Sequence, residues 1–152
     1  MRALIDTNVL MDYLTKREPY FETARKLVSA CMEKKIDGYI AAHSILNLFF
    51  ILRHDYAAAQ RRVMLTDLCL MFRVVSVDNS KLLAALLDDS FSDVEDCVQY
   101  QCADDCHAEY IVTRNPKDFA ASKIPAIMPD VFCQRFLDGS SGEQEAERNA
   151  VS

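Results

Sequence analysis

Four short apolar runs, at residues 3–5, 38–41, 74–77 and 110–113, are separated along this chain by longer amphipathic stretches. Each run is too short for a helix and is bounded by polar or turn residues. A strand covered on both faces is continuously apolar rather than alternating, so such runs predict a parallel sheet with helices packed on it. The intervening segments fit: residues 20–35 carry Phe21, Ala24, Leu27, Val28 and Cys31 at one-face helical spacing. Further helices are predicted at 57–71, 79–87, 92–107 and 131–137. The stretch 45–52 is apolar almost all round, which predicts a central, buried helix.

With 152 residues, 51% of them hydrophobic and 26% charged, the chain is long enough for one domain that closes its own core without disulfide or structural metal. Residues 1–138, free of repeats and linkers, are expected to form that domain; 139–152, which lack apolar periodicity, are expected to be a flexible acidic C-terminal tail. Seventeen Lys and Arg against 23 Asp and Glu give a net charge of −6. That argues against a domain gripping nucleic acid chiefly through a basic field; a polyanionic substrate would need a basic rim or bound divalent cations. The six cysteines form no C-x-x-C pair, and Cys102 and Cys106 lack the second pair that a zinc site needs, so reduced core thiols are expected. No secretory apolar region opens the chain, and no apolar run approaches the ~18 residues of a membrane span. The expected location is cytoplasmic.

In an open parallel sheet, ligands bind beyond the carboxyl ends of the strands. The first run is followed by Asp6, Thr7 and Asn8, and the second leads through His43 and Ser44 to Asn47. The fourth ends at Thr113 and continues Arg114-Asn115-Pro116-Lys117-Asp118; the helix before it opens Ser92-Asp93-Val94-Glu95-Asp96. Most of these residues have an ordinary structural use. Asp6 suits a helix N-cap, Ser92 with Glu95 matches a capping box, and Asp93 would complement a helix dipole. Asn115-Pro116 reads as an N-cap and first helical residue, with Asp118 in the first turn, and Asn47 as a weak partner in a cap at Ser44. Asp96 is harder to explain. With Ser92 as N-cap it is the fourth helical residue, on a face with Tyr100, Ala103 and His107, where a carboxylate needs a metal ion or a basic side chain.

Magnesium and manganese take oxygen ligands, keep several waters and are commonly held by a few carboxylates plus substrate phosphates. Asp6 and Asp96, with Asn47, Asn115 and Asp118 nearby, meet that demand, and Thr7, Asn8, Ser44, Thr113 and Arg114 are the candidates to contact substrate. Such an ion activates water and neutralises charge on a phosphodiester during in-line attack. Lys16, Arg17, Arg53 and Lys117, with Tyr13, are candidates for a groove holding a polyanionic substrate, or plain surface. His54 and His107 are expected to be structural.

The stretch Leu4-Ile5-Asp6-Thr7-Asn8-Val9-Leu10 resembles the opening motif of PIN domains. The run from Asp93 through Asp96 to Ala103, followed by Tyr110-Ile111-Val112-Thr113-Arg114-Asn115-Pro116-Lys117-Asp118-Phe119, is similar to their C-terminal acidic helix and Thr-Arg-Asn strand end, in matching order and intervals. The resemblance implies an α/β fold, a three-layer α/β/α sandwich around a central parallel sheet of four to five strands. It also implies a divalent-metal-dependent ribonuclease, often the toxin of a bacterial toxin–antitoxin pair, hydrolysing RNA with a metal-activated water. Asp6 is then the first metal ligand, Asp96 the carboxylate on the later helix, Asn115 the family's Asp or Asn after the strand, and Asp118 close behind. Mg²⁺ or Mn²⁺ is the implied cofactor, RNA the substrate, an antitoxin protein the partner, and a homodimer a reasonable assembly. One position departs: where the family carries Glu on the helix after the second strand, this chain has Asn47, which ligates a hard cation but carries no charge and accepts no proton.

Two other readings stay open. A PIN-like module weakened in catalysis by Asn47 would bind RNA or an antitoxin. An aspartyl-phosphate phosphotransferase would use Asp6 as covalent nucleophile, although such enzymes usually carry a second Asp where this chain has Asn8.

Overall fold

The computed structural model describes residues 1–139; the expected tail, Gly139 apart, lies outside the described residues. Five strands form one parallel sheet: β1 (Arg2–Ile5), β2 (Asp37–Ala41), β3 (Arg73–Val75), β4 (Tyr110–Val112) and β5 (Ala126–Ile127), in the order β3-β2-β1-β4-β5. All four predicted strands are present, with ends shifted by one or two residues. β5 is an addition. Its two residues stand between Pro125 and Met128-Pro129 and offer no periodicity to read.

The helices are α1 (Thr7–Leu14), α2 (Phe21–Met32), α3 (Ala42–Ile51), α4 (Ala58–Met71), α5 (Asn79–Leu87), α6 (Val94–Asp105) and α7 (Pro129–Phe136). Successive residues of β1 point to opposite sides of the sheet, as the strand period requires. Ala3 and Ile5 enter one core with residues of α1, α2, α3, α4 and α7, while Leu4 enters a second core with residues of α5 and α6. Two apolar layers on one sheet make the α/β/α sandwich. Gly38 marks the closest packing: a Cβ there would stand 2.7 Å from Cys31 Sγ and 2.8 Å from the Phe72 ring, so both side chains lie directly on the β2 backbone.

Two local expectations are corrected. The buried helix expected at 45–52 is α3, where only Ser44 and Leu48 are buried and Leu46 and Phe50 are 73% and 62% exposed. One side of α3 meets α1 and α4, and no described element covers the other. An all-round apolar composition does not itself supply a second neighbour. His107, expected on the helix with Asp96, instead follows the end of α6 with a left-handed backbone, φ 54°. No described helix is long and apolar enough to cross a membrane.

The strand order places the site. From β1 the chain builds outward through β2 and β3, then crosses to β4 and β5 on the other side. Ile5 pairs with Val112, so Asp6 and Thr113 leave neighbouring strand ends side by side. A crevice opens at such a reversal of strand order, where the connecting loops diverge.

Candidate active site

Asp6 caps α1, as its position after β1 allows: the Thr7 N–H donates to Oδ1 at 2.6 Å. Capping is only part of its role. Oδ1 also accepts from Gln99 Nε2 at 3.1 Å, and Oδ2 accepts from Thr113 Oγ1 at 2.7 Å. At 6% exposure the carboxylate is nearly cut off from water. Burial pushes its pKa up to about 6; the Thr113 hydroxyl pulls the other way, and the charges of Glu95 and Asp118 add to the rise.

The acidic helix begins one residue later than expected. Asp93, not Ser92, is the N-cap, accepting from the Glu95 N–H at 2.8 Å, and Ser92 is exposed. The Ser92–Glu95 capping box is therefore absent, and Asp96 is the third helical residue, inside the first turn. Glu95 turns instead toward the sheet. Its Oε1 lies 2.7 Å from His43 Nε2 and accepts from Gln99 Nε2 at 3.3 Å. Asp96 is half-buried, and burial, then the charges of Glu95, Asp6, Asp93 and Asp118, push its pKa up to about 7. Among the described residues, no Lys or Arg forms an ion pair with Asp6 or Asp96.

Hydroxyls and amides bind this cluster together. Thr7 Oγ1 donates to Ser44 Oγ at 2.8 Å, and Gln99 Nε2 stands 3.0 Å and 3.2 Å from those two oxygens. Asn8 Nδ2 donates to Thr113 Oγ1 at 3.3 Å, its Oδ1 accepts from the Arg114 N–H at 3.3 Å, and the Asn115 N–H donates to Thr113 Oγ1 at 3.0 Å. Thr7, Asn8, Ser44 and Thr113 thus surround Asp6.

Other candidates stand apart. Asn47 is half-buried and outside this network. Asn115 is exposed, and its side chain caps nothing, because a 3-10 turn (Pro116–Phe119) replaces the expected helix. Asp118 is exposed too, although its charge raises the pKa of both Asp6 and Asp96. The Arg114 guanidinium is already committed: Nε is 2.6 Å from Oδ2 of buried Asp12, and Cζ lies 4.3 Å from the Tyr20 ring centre. Arg53 folds over Phe50, while Lys16, Arg17, Lys117, His54 and His107 are exposed. The cysteines are free thiols, and Cys102 is buried with its pKa pushed up to about 12. Cys69 is exposed rather than in the core.

Glu95, His43, Gln99 and Asp12 complete the picture and escaped the sequence reading as functional groups. One signal was available: Gln99 stands one helical turn after Glu95 and Asp96, on the same side of α6.

A hard divalent cation fits this donor set. Asp6 is buried and Asp96 half-buried with no Lys or Arg ion-pair partner among the described residues, the donors are oxygens, and the fully buried Gln99 leaves Oε1 with no hydrogen-bond partner among those residues. Among those residues no three His, Cys, Asp or Glu side chains gather into a metal cage. Magnesium does not need one, since it usually takes one or two carboxylates and retains water.

The PIN domain family model matches residues 2–117. No curated protein matches the sequence. Among solved structures, FitAcB from Neisseria gonorrhoeae superposes with a TM-score of 0.64 at 18% identity, over 84% of this chain and 97% of that one. A toxin–antitoxin complex from Klebsiella pneumoniae gives 0.61 at 22% identity, covering 84% and 97%. VapBC2 from Rickettsia felis, bound to a promoter DNA fragment, gives 0.61 at 15% identity, covering 84% and 98%. With the family model spanning most of the chain from β1 into the loop after β4, and the sheet order and strand-end acids arranged as described, this chain belongs to the PIN domain family.

Proposed function

We propose that the protein is a divalent-cation-dependent nuclease that hydrolyses RNA phosphodiesters, and that it is the toxin of a toxin–antitoxin pair. The observation that carries this reading is the grouping of Asp6 with Asp96 and Glu95 at the reversal of strand order, with no described Lys or Arg paired to Asp6 or Asp96 and only His43 paired to Glu95. Asp6 and Asp96 would hold Mg²⁺ or Mn²⁺, with Asp118, Asn115 and Asn47 at the margin. The cation would supply an activated water and neutralise charge growing on the phosphodiester.

The chain's own groups do the positioning. Thr113, the Thr7 N–H and Gln99 fix both oxygens of Asp6. His43 and Gln99 hold Glu95 beside the pair, so Glu95 restores the acid that Asn47 lacks, and the weakened-module reading loses its main support. With both its oxygens held by donors, Asp6 is poorly placed for covalent phosphotransfer. The antitoxin partner is supported by the toxin–antitoxin complex from Klebsiella pneumoniae among the similar folds and by exposed Leu46, Phe50, Val63 and Leu70 on α3 and α4, apolar side chains of the kind that partners cover. A homodimer would use the same property, and sedimentation of the isolated chain distinguishes it from a monomer.

The deciding experiment is cleavage of a defined single-stranded RNA with and without Mn²⁺. Asp6→Asn and Asp96→Asn are each expected to lose about 100-fold or more in rate, since each removes charge from a site whose ion is worth several kcal/mol. Full cleavage in both variants, or cleavage indifferent to EDTA, removes the proposal.

A further inference from the structure

We infer that the outer nitrogens of the Arg114 guanidinium grip a backbone phosphate of the RNA strand beside the scissile one; this rests on the RNA-cleaving reading above. The main chain of Arg114 belongs to the crevice. It directly follows Thr113, whose hydroxyl donates to Asp6 Oδ2 at 2.7 Å, and its own N–H donates to Asn8 Oδ1 at 3.3 Å. The side chain then follows α1 to Asp12, six residues beyond Asp6 and roughly 9 Å of helical rise away.

Two groups fix the guanidinium. Asp12, only 1% exposed, holds Nε in an ion pair 2.6 Å from Oδ2, and the Tyr20 ring covers one face, with Cζ 4.3 Å from the ring centre. Nε is buried, so no ligand reaches it. Nη1 and Nη2 differ, for neither has a hydrogen-bond partner among the described residues and neither is among the buried polar atoms. A planar guanidinium anchored on one edge and one face, with its outer N–H groups free, presents a fixed fork to the oxygens of a phosphate.

The local charge agrees. Burial raises the pKa of Asp12, while the charges of Arg114 and then of exposed Arg17 lower it, so two arginines share one carboxylate. Asp130 lines the same cavity of about 220 Å³ as Asp12, Tyr20 and Arg114, but its Oδ1 accepts from the Val131 N–H at the start of α7. In a chain of net charge −6, a polyanion is held only where basic groups gather locally. A strand whose scissile phosphate lies by Asp6 and Asp96 therefore meets Arg114 as it continues along α1.

The test measures binding of fluorescein-labelled oligouridylate to the full chain in EDTA, by anisotropy across a NaCl series. Affinity for a single strand falls with salt at a log–log slope of about 0.7 for each phosphate neutralised. Asp12→Asn with Arg114→Met removes the pair and leaves the net charge unchanged, so a general field cannot account for its effect. Its slope is expected to drop by about 0.7, and its affinity at low salt about tenfold, the worth of one charge-assisted contact. Arg114→Lys keeps a cation for Asp12 should the double variant fail to fold; it gives up the fork and should lose the same contact. Tyr20→Leu removes the stack and keeps the charge, so affinity should fall about threefold at an unchanged slope. An arginine that only neutralises Asp12 would move the slope in no folded variant. A wild-type slope in both Arg114 variants, or no binding by the unaltered chain, overturns the inference. No cation or cleavage enters these measurements: a lost slope without Mn²⁺-dependent cleavage keeps the contact and removes the nuclease reading, and cleavage with an unchanged slope does the reverse.

Discussion

Asp6 and Asp12 stand at opposite ends of one short helix, both buried, and their surroundings treat them in opposite ways. Asp12 meets the Arg114 guanidinium at 2.6 Å, with Arg17 also contributing, so its charge has a protein partner. Asp6 receives only neutral donors, while Glu95, Asp96 and Asp118 crowd the same region. Burial raises the pKa of both, but only Asp6 is left needing a charge that no described side chain supplies. A fold that stabilises one buried acid with arginine and gathers others without one sets the two ends of α1 apart: one carboxylate has its counter-charge in the protein, and the other, on the function proposed above, would take it from a cation.

The contrast can be broken from either end. The largest effect is expected at Asp12: Arg114→Ala leaves a buried charge unpaired and should cost about 3 kcal/mol in urea unfolding, whereas the double change Asp12→Asn with Arg114→Met should recover most of it. A single variant of unchanged stability would mean that the pair is not what satisfies Asp12.

Next is the supporting acid. Glu95→Gln should weaken Mn²⁺ binding by roughly 10- to 100-fold, the range for groups that support a metal site, as read by calorimetry on folded protein. Unchanged affinity would return the burden to Asn47.

A pH series sharpens the same point. Asp6 and Asp96 have folded pKa values of about 6 and about 7 against an ordinary 3.8, so between pH 4 and 7 the folded protein binds more protons than the unfolded chain, and metal-free stability falls as pH rises through that window. The melting temperature should drop by roughly 5 °C across it, and millimolar Mn²⁺ should reverse the drop by mass action. A curve that rises with pH in the absence of metal would show that the acids are already compensated. The smallest effect is expected at Asn47, where Ala should change Mn²⁺ affinity by about threefold or less, because its amide lies outside the network around Asp6.

Much of this was legible beforehand because it depended on local pattern. Continuous apolar runs gave four strands, and their carboxyl ends gave Asp6, just after the first, and Thr113, the last residue of the fourth, since strand ends converge in any parallel sheet. The acids of α6 were harder to assign. Ser92-x-x-Glu95 satisfies a capping pattern, and no local signal says that Asp93 takes the cap instead and releases Glu95 toward His43 on a distant segment. Gln99 is a neutral amide in mid-helix, ordinary until four acceptors are brought around it. Leu46 and Phe50 misled in the other direction, for apolar character fixes what a side chain prefers and not whether a neighbour arrives.

The sequence by itself determined the alternation of strand and helix, the parallel sheet that follows from it, and the acids standing at strand ends, because these depend on periodicity and on residues adjacent in the chain. Only the tertiary structure decided which buried acid receives an arginine, which glutamate joins the cluster and which apolar face stays uncovered. Those outcomes depend on pairings such as His43 with Glu95 and Asp12 with Arg114, whose partners are remote along the chain and meet only when the sheet order brings their elements together.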